Sequence, residues 1–146
     1  NKFNTFTDLM LYFAARSENI HLVIKKNYKK KIILIDRFVD STIAYQHHGL
    51  NVNLKIINLI NRYLLKDFKI DFTFLNIVNT NNMKKRLKLR KTLNRYDNFN
   101  SKFYHRVQKG FFKLAQNNKR KYQIIDSNLN INDNKFKVIQ KINKLI

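Results

Sequence analysis

A chain of 146 residues has the length of one domain, and its 44% hydrophobic and 13% aromatic residues are sufficient for a packed core. Cysteine is absent, which excludes disulfides and thiolate metal sites, and 4 histidines with 9 carboxylates do not favour a metal held by protein side chains alone. No apolar run approaches the roughly 20 residues that span a bilayer, and no signal-peptide pattern opens the chain, so we expect a cytoplasmic protein without a membrane partner.

The formal net charge of +21 comes from 30 Lys and Arg against 9 Asp and Glu. Basic surfaces attract phosphate, and binding to nucleic acid is therefore one interpretation of this charge. Proline and tryptophan are absent, glycine occurs twice, and Lys, Asn and Ile are abundant throughout, which is typical of an AT-biased coding sequence. We favour this second interpretation, with no nucleic-acid partner, and expect only a few arginines to have chemical roles.

Apolar periodicity predicts six helices, and continuous apolar runs predict three strands. In chain order they are a helix over 8–27 capped by Thr5 or Thr7, a strand in IILI (32–35), helices over 40–48 and 53–65, a strand within 70–78, helices over 81–91 and 101–116, a strand over 122–127 and a helix over 133–146. Four apolar residues in a row at 32–35 predict a strand covered on both faces, as in a parallel sheet. The alternation predicts an α/β fold in a single domain, 1–146.

The segment IDRFVDSTIAYQ (35–46) has the composition of a site wall, because it concentrates several kinds of hydrogen-bonding side chain where a simple turn would use Gly, Pro, Asn or Asp. Ligands of parallel sheets bind at the carboxyl ends of the strands. Asp36 and Arg37 lie at that end of the first predicted strand, and the fork-shaped guanidinium of Arg37 can meet a phosphate with two parallel hydrogen bonds.

Two predicted helix faces carry the side chains that can grip a nucleobase. They are Tyr12 with Arg16 on the first helix, and Thr42, Tyr45 and Gln46 on the second. An aromatic ring can stack on a base, an amide offers a matched donor and acceptor, and an arginine donates to a carbonyl oxygen. The sequence therefore predicts that these two helices together bind a nucleotide.

Five segments resemble the bacterial type of thymidylate kinase, in that family's order and at about its spacing. They are LMLYFAARSENI (9–20), IDRFVDSTIAYQ (35–46), RLKLRKTLNRYD (86–97), FYHRVQKGFFKLA (103–115) and YQIIDS (122–127). The resemblance implies a P-loop NTPase-like three-layer α/β sandwich with a parallel sheet. It also implies transfer of the ATP γ-phosphate to dTMP with Mg²⁺, giving dTDP for dTTP synthesis, in an enzyme that is commonly a homodimer.

The resemblance implies a role for each matching position. For the substrate, Tyr12 stacks on thymine, Arg16 bonds the base O4, Thr42 and Gln46 read the base with Gln46 at N3, Tyr45 lines the sugar and phosphate region, and Tyr96 crowds the ribose 2′ position. Arg37 contacts the acceptor phosphate, and Asp36 lies near the phosphates and the magnesium, which it contacts through water. A mobile lid over about 84–98 carries Arg86, Arg90 and Arg95, some of which reach ATP phosphates on closure.

The sequence departs from the family at several positions. Asn94 stands where Asp is usual beside the lid arginine Arg95, and Asn76 replaces the Asp of a typical strand end. No GxxxxGK[ST] phosphate loop occurs, although that loop holds the ATP phosphates. We therefore expect an N-terminally truncated chain, lacking the strand that carries the loop and inactive on its own.

Two alternatives remain open at this point. One is a related kinase that phosphorylates another nucleoside or deoxynucleoside monophosphate. The other is a basic module that binds nucleic acid without catalysis. It predicts arginines and aromatic rings spread over one exposed surface, whereas a kinase predicts that they converge on a cleft.

Overall fold

The computed structural model describes residues 3–92 and 99–146. They group into two compact units, the first formed by Asn1–Ile70 with Lys102–Phe112 and the second by Asp71–Ser101 with Lys113–Ile146. None of the helices among the described residues is both long and apolar enough to cross a bilayer.

The first unit begins with a long helical run. It consists of α1 (Thr5–Asn19), a π-helical turn (Ile20–Ile24) and α2 (Lys25–Asn27). The predicted helix is confirmed, but the predicted cap is wrong. Asn4 is the cap, because its backbone is extended and its side-chain oxygen accepts a hydrogen bond from the Thr7 backbone N–H at 2.9 Å.

Residues 32–35 do not form the predicted strand. Ile32, Leu34 and Ile35 are 61%, 77% and 43% exposed, and nothing in the described ranges pairs with their backbone as a neighbouring strand. The prediction of a strand covered on both faces is therefore wrong for this structure. The local sequence determines whether a strand is apolar. Strand pairing, however, requires hydrogen bonds to the N–H and C=O groups of a second strand.

The next helical elements of the first unit agree with prediction. They are α3 (Val39–Thr42), which continues as a π-helical segment (Ile43–Gly49), and α4 (Leu54–Leu64). Asn53 caps α4 by accepting a hydrogen bond from the Lys55 backbone N–H at 2.9 Å. Ile57 on α4 joins Leu9 and Phe13 of α1 in the buried core.

The early turns of α6 (Ser101–Asn117) close this unit against the π-helical segment. Phe103 and Val107 are 1% and 4% exposed. A Cβ atom added to Gly49 would lie 2.6 Å from Phe103 Cε2, and one added to Gly110 would lie 2.5 Å from His48 Cδ2. The two glycines therefore allow α6 to approach the π-helical segment more closely than larger residues would permit.

The second unit contains the sheet. Strands β1 (Thr73–Ile77) and β2 (Tyr122–Asp126) pair in parallel, with Thr73 opposite Tyr122 and Ile77 opposite Asp126. The other elements that lie entirely in this unit are α5 (Thr80–Lys88), a 3₁₀ turn (Lys119–Lys121) and α7 (Ile131–Asn143). A parallel pair requires a long crossover between its strands, and here the crossover includes α5 and α6. The predicted α/β class is confirmed.

Candidate functional site

Arg16 lies at the centre of a polar cluster in the first unit. Its Nη1 donates to Asn61 Oδ1 at 3.1 Å, and its Nη2 donates to Thr42 Oγ1 at 2.6 Å and to the Phe38 carbonyl at 3.2 Å. The guanidinium carbon also lies 5.3 Å from the ring centroids of both Phe13 and Phe38. Arg16 therefore joins α1 to α4 and to the segment 35–46, as the predicted approach of α1 to that segment requires.

Arg16 is half buried, and it supplies the positive charge of this cluster. Burial lowers the pKa of Arg16 to about 10, and the nearby carboxylate of Asp40 opposes this shift. The guanidinium is therefore a cation at neutral pH. An arginine has five N–H donors; the three bonds to described residues leave Nε and one hydrogen of Nη1 for a ligand.

Arg37 has a backbone conformation that is unusual for a side-chain-bearing residue. Its φ is 60°, in the left-handed region, where Cβ crowds the backbone at a cost of about 1–2 kcal/mol. Such strained residues cluster at functional sites. The Arg37 side chain is exposed, and its guanidinium carbon lies 5.2 Å from the centroid of the Tyr45 ring.

The charge of Arg37 is reinforced by its neighbours. Partial burial lowers its pKa, but the hydrogen bond that it donates to Tyr45 and the electrostatic attraction of Asp36 and Tyr104 outweigh this and raise the pKa overall. Arg37 is therefore a permanent cation beside the exposed carboxylate of Asp36.

Tyr45 connects Arg37 to the aromatic residues of α6. Its ring meets those of Phe103 and Phe111 edge to face, with centroid distances of 6.0 and 6.2 Å. Arg106 of the same helix donates to the Gly49 carbonyl at 2.8 Å, at the end of the π-helical segment. Contacts with α6 therefore hold the π-helical segment through the side chain of Tyr45 and through the carbonyl of Gly49.

Thr42, Tyr45 and Gln46 are predicted to lie on one helix face. In the structure, Thr42 and Tyr45 contact different arginines. Thr42 bonds Arg16, whereas Tyr45 contacts Arg37. A π-helix forms i→i+5 hydrogen bonds, so its wider turn rotates successive side chains differently from the α-helix assumed for the sequence. Gln46 is buried at 3% exposure, and its backbone carbonyl accepts a hydrogen bond from the Val52 N–H at 2.9 Å.

Tyr12 lies on the solvent side of α1. It is 39% exposed, while the adjacent Phe13 is 5% exposed and belongs to the core. Tyr12 is one helical turn before Arg16, as predicted. Its ring therefore has a free surface that a flat ligand can cover.

Sequence reasoning missed Asn61 and Phe38 as partners of Arg16. Asn61 follows Ile57 by one helical turn, so it interrupts the buried stripe of α4 with an amide. A buried polar side chain requires a hydrogen-bond partner, and this is the signal that would have identified it. The Phe38 contact uses a backbone carbonyl, which carries no residue-specific signal.

The predicted lid residues are only partly described. Arg86 is exposed on α5, and its Nη2 donates to the Ser127 carbonyl at 2.6 Å, which links α5 to the loop after β2. Arg90 is exposed beyond the end of α5. Arg95, Tyr96 and the unusual Asn94 lie outside the described residues.

Asn128 organises the loop that follows β2. Its side-chain oxygen accepts from the Asn79 backbone N–H at 3.1 Å and from Asn82 Nδ2 at 3.0 Å. Its own backbone N–H and amide donate to Asp126 Oδ1 at 2.9 and 2.6 Å. The carboxyl ends of both strands are therefore tied together by amide hydrogen bonds.

Asp36 is the residue that the sequence predicts to lie near a divalent cation and to contact it through water. Within 3–92 and 99–146, no group of three or more His, Cys, Asp or Glu side chains could hold a metal ion. Mg²⁺ commonly keeps several waters and binds through one or two carboxylates together with substrate phosphates. The carboxylate of Asp36 is exposed, so it is accessible to the water around such an ion.

The first unit of this α/β fold contains two positioned arginines, Arg16 and Arg37, and the exposed ring of Tyr12, which are residue types suited to a planar anionic ligand. The thymidylate kinase family model matches residues 1–138. The chain belongs to the thymidylate kinase family.

Named relatives and a solved structure agree with this family. The chain is 32% identical to the thymidylate kinase of Mycoplasma capricolum over 131 residues, which cover 88% of this chain and 62% of that protein. It is 35% identical to that of Trichodesmium erythraeum over 146 residues, 99% of this chain and 63% of that protein. The crystal structure of thymidylate kinase from Ehrlichia chaffeensis matches with a TM-score of 0.75 and 27% identity, over 97% of this chain and 68% of that one.

The structural match confirms the predicted P-loop NTPase-like fold class. The chain spans less than two thirds of the length of the two relatives just described, 62% and 63%.

Proposed function

We propose that the protein serves in the ATP-dependent phosphorylation of dTMP to dTDP, as a nucleoside monophosphate kinase. The observation that supports this most directly is the position of Arg16. Three hydrogen bonds hold its guanidinium where α1 meets the segment 35–46, and donors remain for a ligand. These two segments also contain the residues that resemble the family's substrate site.

The thymine base would be bound by the residues around Arg16. The exposed ring of Tyr12 stacks on the base, and a free N–H of Arg16 donates to O4. Thr42 and Gln46 contribute a hydroxyl and an amide for reading the base, with Gln46 at N3. Each assignment uses the bonding capacity that the side chain has: donors only for arginine, and both donor and acceptor for the amide.

The phosphate of dTMP would be bound by Arg37. The transition state of phosphoryl transfer is loose and spreads charge over the phosphoryl oxygens, so positioning and cations supply most of the catalysis. Arg37 would hold the acceptor phosphate, Tyr45 would line the sugar and phosphate region, and Asp36 would help to hold Mg²⁺ through water. The metal, when bound, neutralises charge on the phosphates.

The lid over about 84–98 would act on the donor nucleotide. Some of Arg86, Arg90 and Arg95 supply positive charge to the ATP phosphates, whereas Tyr96 crowds the ribose 2′ position of the substrate dTMP. Arg86 now donates to the Ser127 carbonyl, so this role requires it to exchange that bond for a phosphate oxygen. We assign residues 1–146 to one kinase domain that includes this lid, and we propose a cytoplasmic homodimer on the family resemblance.

Calorimetric titration with mononucleotides tests the proposed function. We expect dTMP to bind more tightly than dUMP, dCMP or dGMP. We also expect Arg37→Ala to lower the affinity for dTMP and to leave the affinity for thymidine, which has no phosphate, almost unchanged. A preference for another base would instead support a related monophosphate kinase. Affinity for nucleic acid falls steeply with salt, so salt-sensitive oligonucleotide binding without base-selective mononucleotide binding would support the basic-module alternative.

A further inference from the structure

Asn61 is a buried amide that a rigid element holds against Arg16. It is 9% exposed, and its Oδ1 accepts the hydrogen bond from Arg16 Nη1 at 3.1 Å. One turn earlier on α4, Ile57 is 0% exposed and packs with Leu9 and Phe13. The core therefore fixes the turn that presents Asn61.

The bond to Asn61 is made by Nη1, whereas the other two bonds are made by Nη2. Both hydrogens of Nη2 are used, by Thr42 Oγ1 and the Phe38 carbonyl. Nη1 gives one hydrogen to Asn61, and none of the residues in 3–92 and 99–146 accepts the other. Because the guanidinium is planar, fixing one Nη1 hydrogen also fixes the direction of its neighbour. Asn61 thus acts with the two Nη2 partners to set the direction of the Nη1 hydrogen that no described residue uses.

We infer that Asn61 is a positioning residue that makes the site selective for a pyrimidine with a carbonyl oxygen at C4. This inference rests on the proposed function, because it concerns the base that Arg16 would bind. Arginine has donors only, so its directed N–H is satisfied by a 4-carbonyl and faces another donor in a 4-amino pyrimidine. Asn61 makes this discrimination sharp by preventing the guanidinium from turning away.

The test compares dTMP with 4-thio-dTMP, which differs only at the atom that Arg16 would contact and whose sulfur is a weak acceptor. Calorimetric titration of the full chain gives the ratio of the two dissociation constants. We expect wild type to prefer dTMP by about tenfold, the usual scale for a hydrogen bond from a charged donor. We expect Asn61→Leu and Asn61→Ala to reduce the ratio towards one, while Asn61→Asp, which keeps an acceptor, preserves it.

Asn58→Leu is the matched control, because Asn58 is exposed on the same helix and the substitution is identical. We expect it to leave the ratio at the wild-type value. Circular dichroism and thermal unfolding identify folded variants. Asn61→Ala removes the side-chain acceptor without adding a larger apolar group, and it decides the question where Asn61→Leu does not fold.

The possible outcomes separate this inference from the proposed function. Equal weakening of both nucleotides in a folded Asn61 variant, with the ratio unchanged, would show a purely structural role and overturn the inference alone. Failure of wild type to bind dTMP would overturn the proposed function, and the inference with it. A reduced ratio that Asn61→Asp restores would establish the positioning role.

Discussion

Arg37 lies over the ring of Tyr45, with 5.2 Å between the guanidinium carbon and the ring centroid, and hydrogen bonding with the Tyr45 side chain helps to raise the pKa of Arg37. The same ring meets Phe103 and Phe111 of α6 edge to face. The cation that we propose for phosphate binding therefore has a strained backbone and lies against an aromatic side chain that contacts α6. Substitutions of Tyr45 can therefore measure separately what its hydroxyl and its ring contribute to the position of Arg37.

Tyr45→Phe removes the hydroxyl and keeps the ring. We expect dTMP affinity to fall about threefold to tenfold, because a net hydrogen bond contributes about 0.5–1.5 kcal/mol to the position of Arg37. Tyr45→Ala should cost more, since it also removes the cation–π contact and the edge-to-face contacts. Calorimetric titration with dTMP and thymidine measures both effects. A Tyr45→Phe change that weakened thymidine as much as dTMP would contradict a role through the phosphate.

The backbone of Arg37 allows a test that is independent of ligands. Glycine adopts φ of 60° without a Cβ penalty, whereas alanine does not. We expect Arg37→Gly to have a free energy of unfolding about 1 kcal/mol above that of Arg37→Ala, as measured by urea denaturation. Both variants lack the side chain, so each is the control for the other. An alanine variant as stable as the glycine variant would show that the left-handed conformation carries no strain.

The helices of this chain could be predicted because their signal is local. The helix predicted over 101–116 is observed as Ser101–Asn117, and Asn53 caps α4 where the sequence predicts its start. The π-helical turns were not predicted, because nothing in a 3.6-residue pattern distinguishes them. Their effect was to separate Thr42 from Tyr45, and so the two side chains serve different arginines.

The features that could not be predicted depend on residues distant in the chain. The bond between Arg16 and Asn61 spans 45 residues, and that between Arg86 and Ser127 spans 41. Residue identity gave the bonding capacity of both arginines but not their partners. The strand at 32–35 failed for the same reason, since its apolar composition was correctly recognised and its pairing depends on a second strand.

The exposure of Leu34 distinguishes the buried strand that the sequence predicts from the exposed segment that the structure shows. It is 77% exposed, so Leu34→Ser should change the free energy of unfolding by no more than about 0.5 kcal/mol. Leu9, which is 0% exposed, is the comparison, and Leu9→Ala should cost about 2–5 kcal/mol. Urea denaturation measures both. A loss of more than about 2 kcal/mol for Leu34→Ser would indicate that this segment is covered in solution, as the sequence first suggested.

Gly110 determines how closely α6 approaches the π-helical segment that carries Tyr45. A Cβ at this position would lie 2.5, 2.7 and 2.9 Å from Cδ2, Cγ and Cβ of His48, so rotation of the imidazole alone would not relieve the contact. We expect Gly110→Ala to lower the free energy of unfolding by about 1–3 kcal/mol, the usual cost of overpacking. Lys109→Ala, at the adjacent exposed position of α6, should stay within about 0.5 kcal/mol of wild type. If Gly110→Ala were as stable as Lys109→Ala, the contact between α6 and His48 would be looser than the structure shows. Tyr45 would then lack the fixed support on which the position of Arg37 depends.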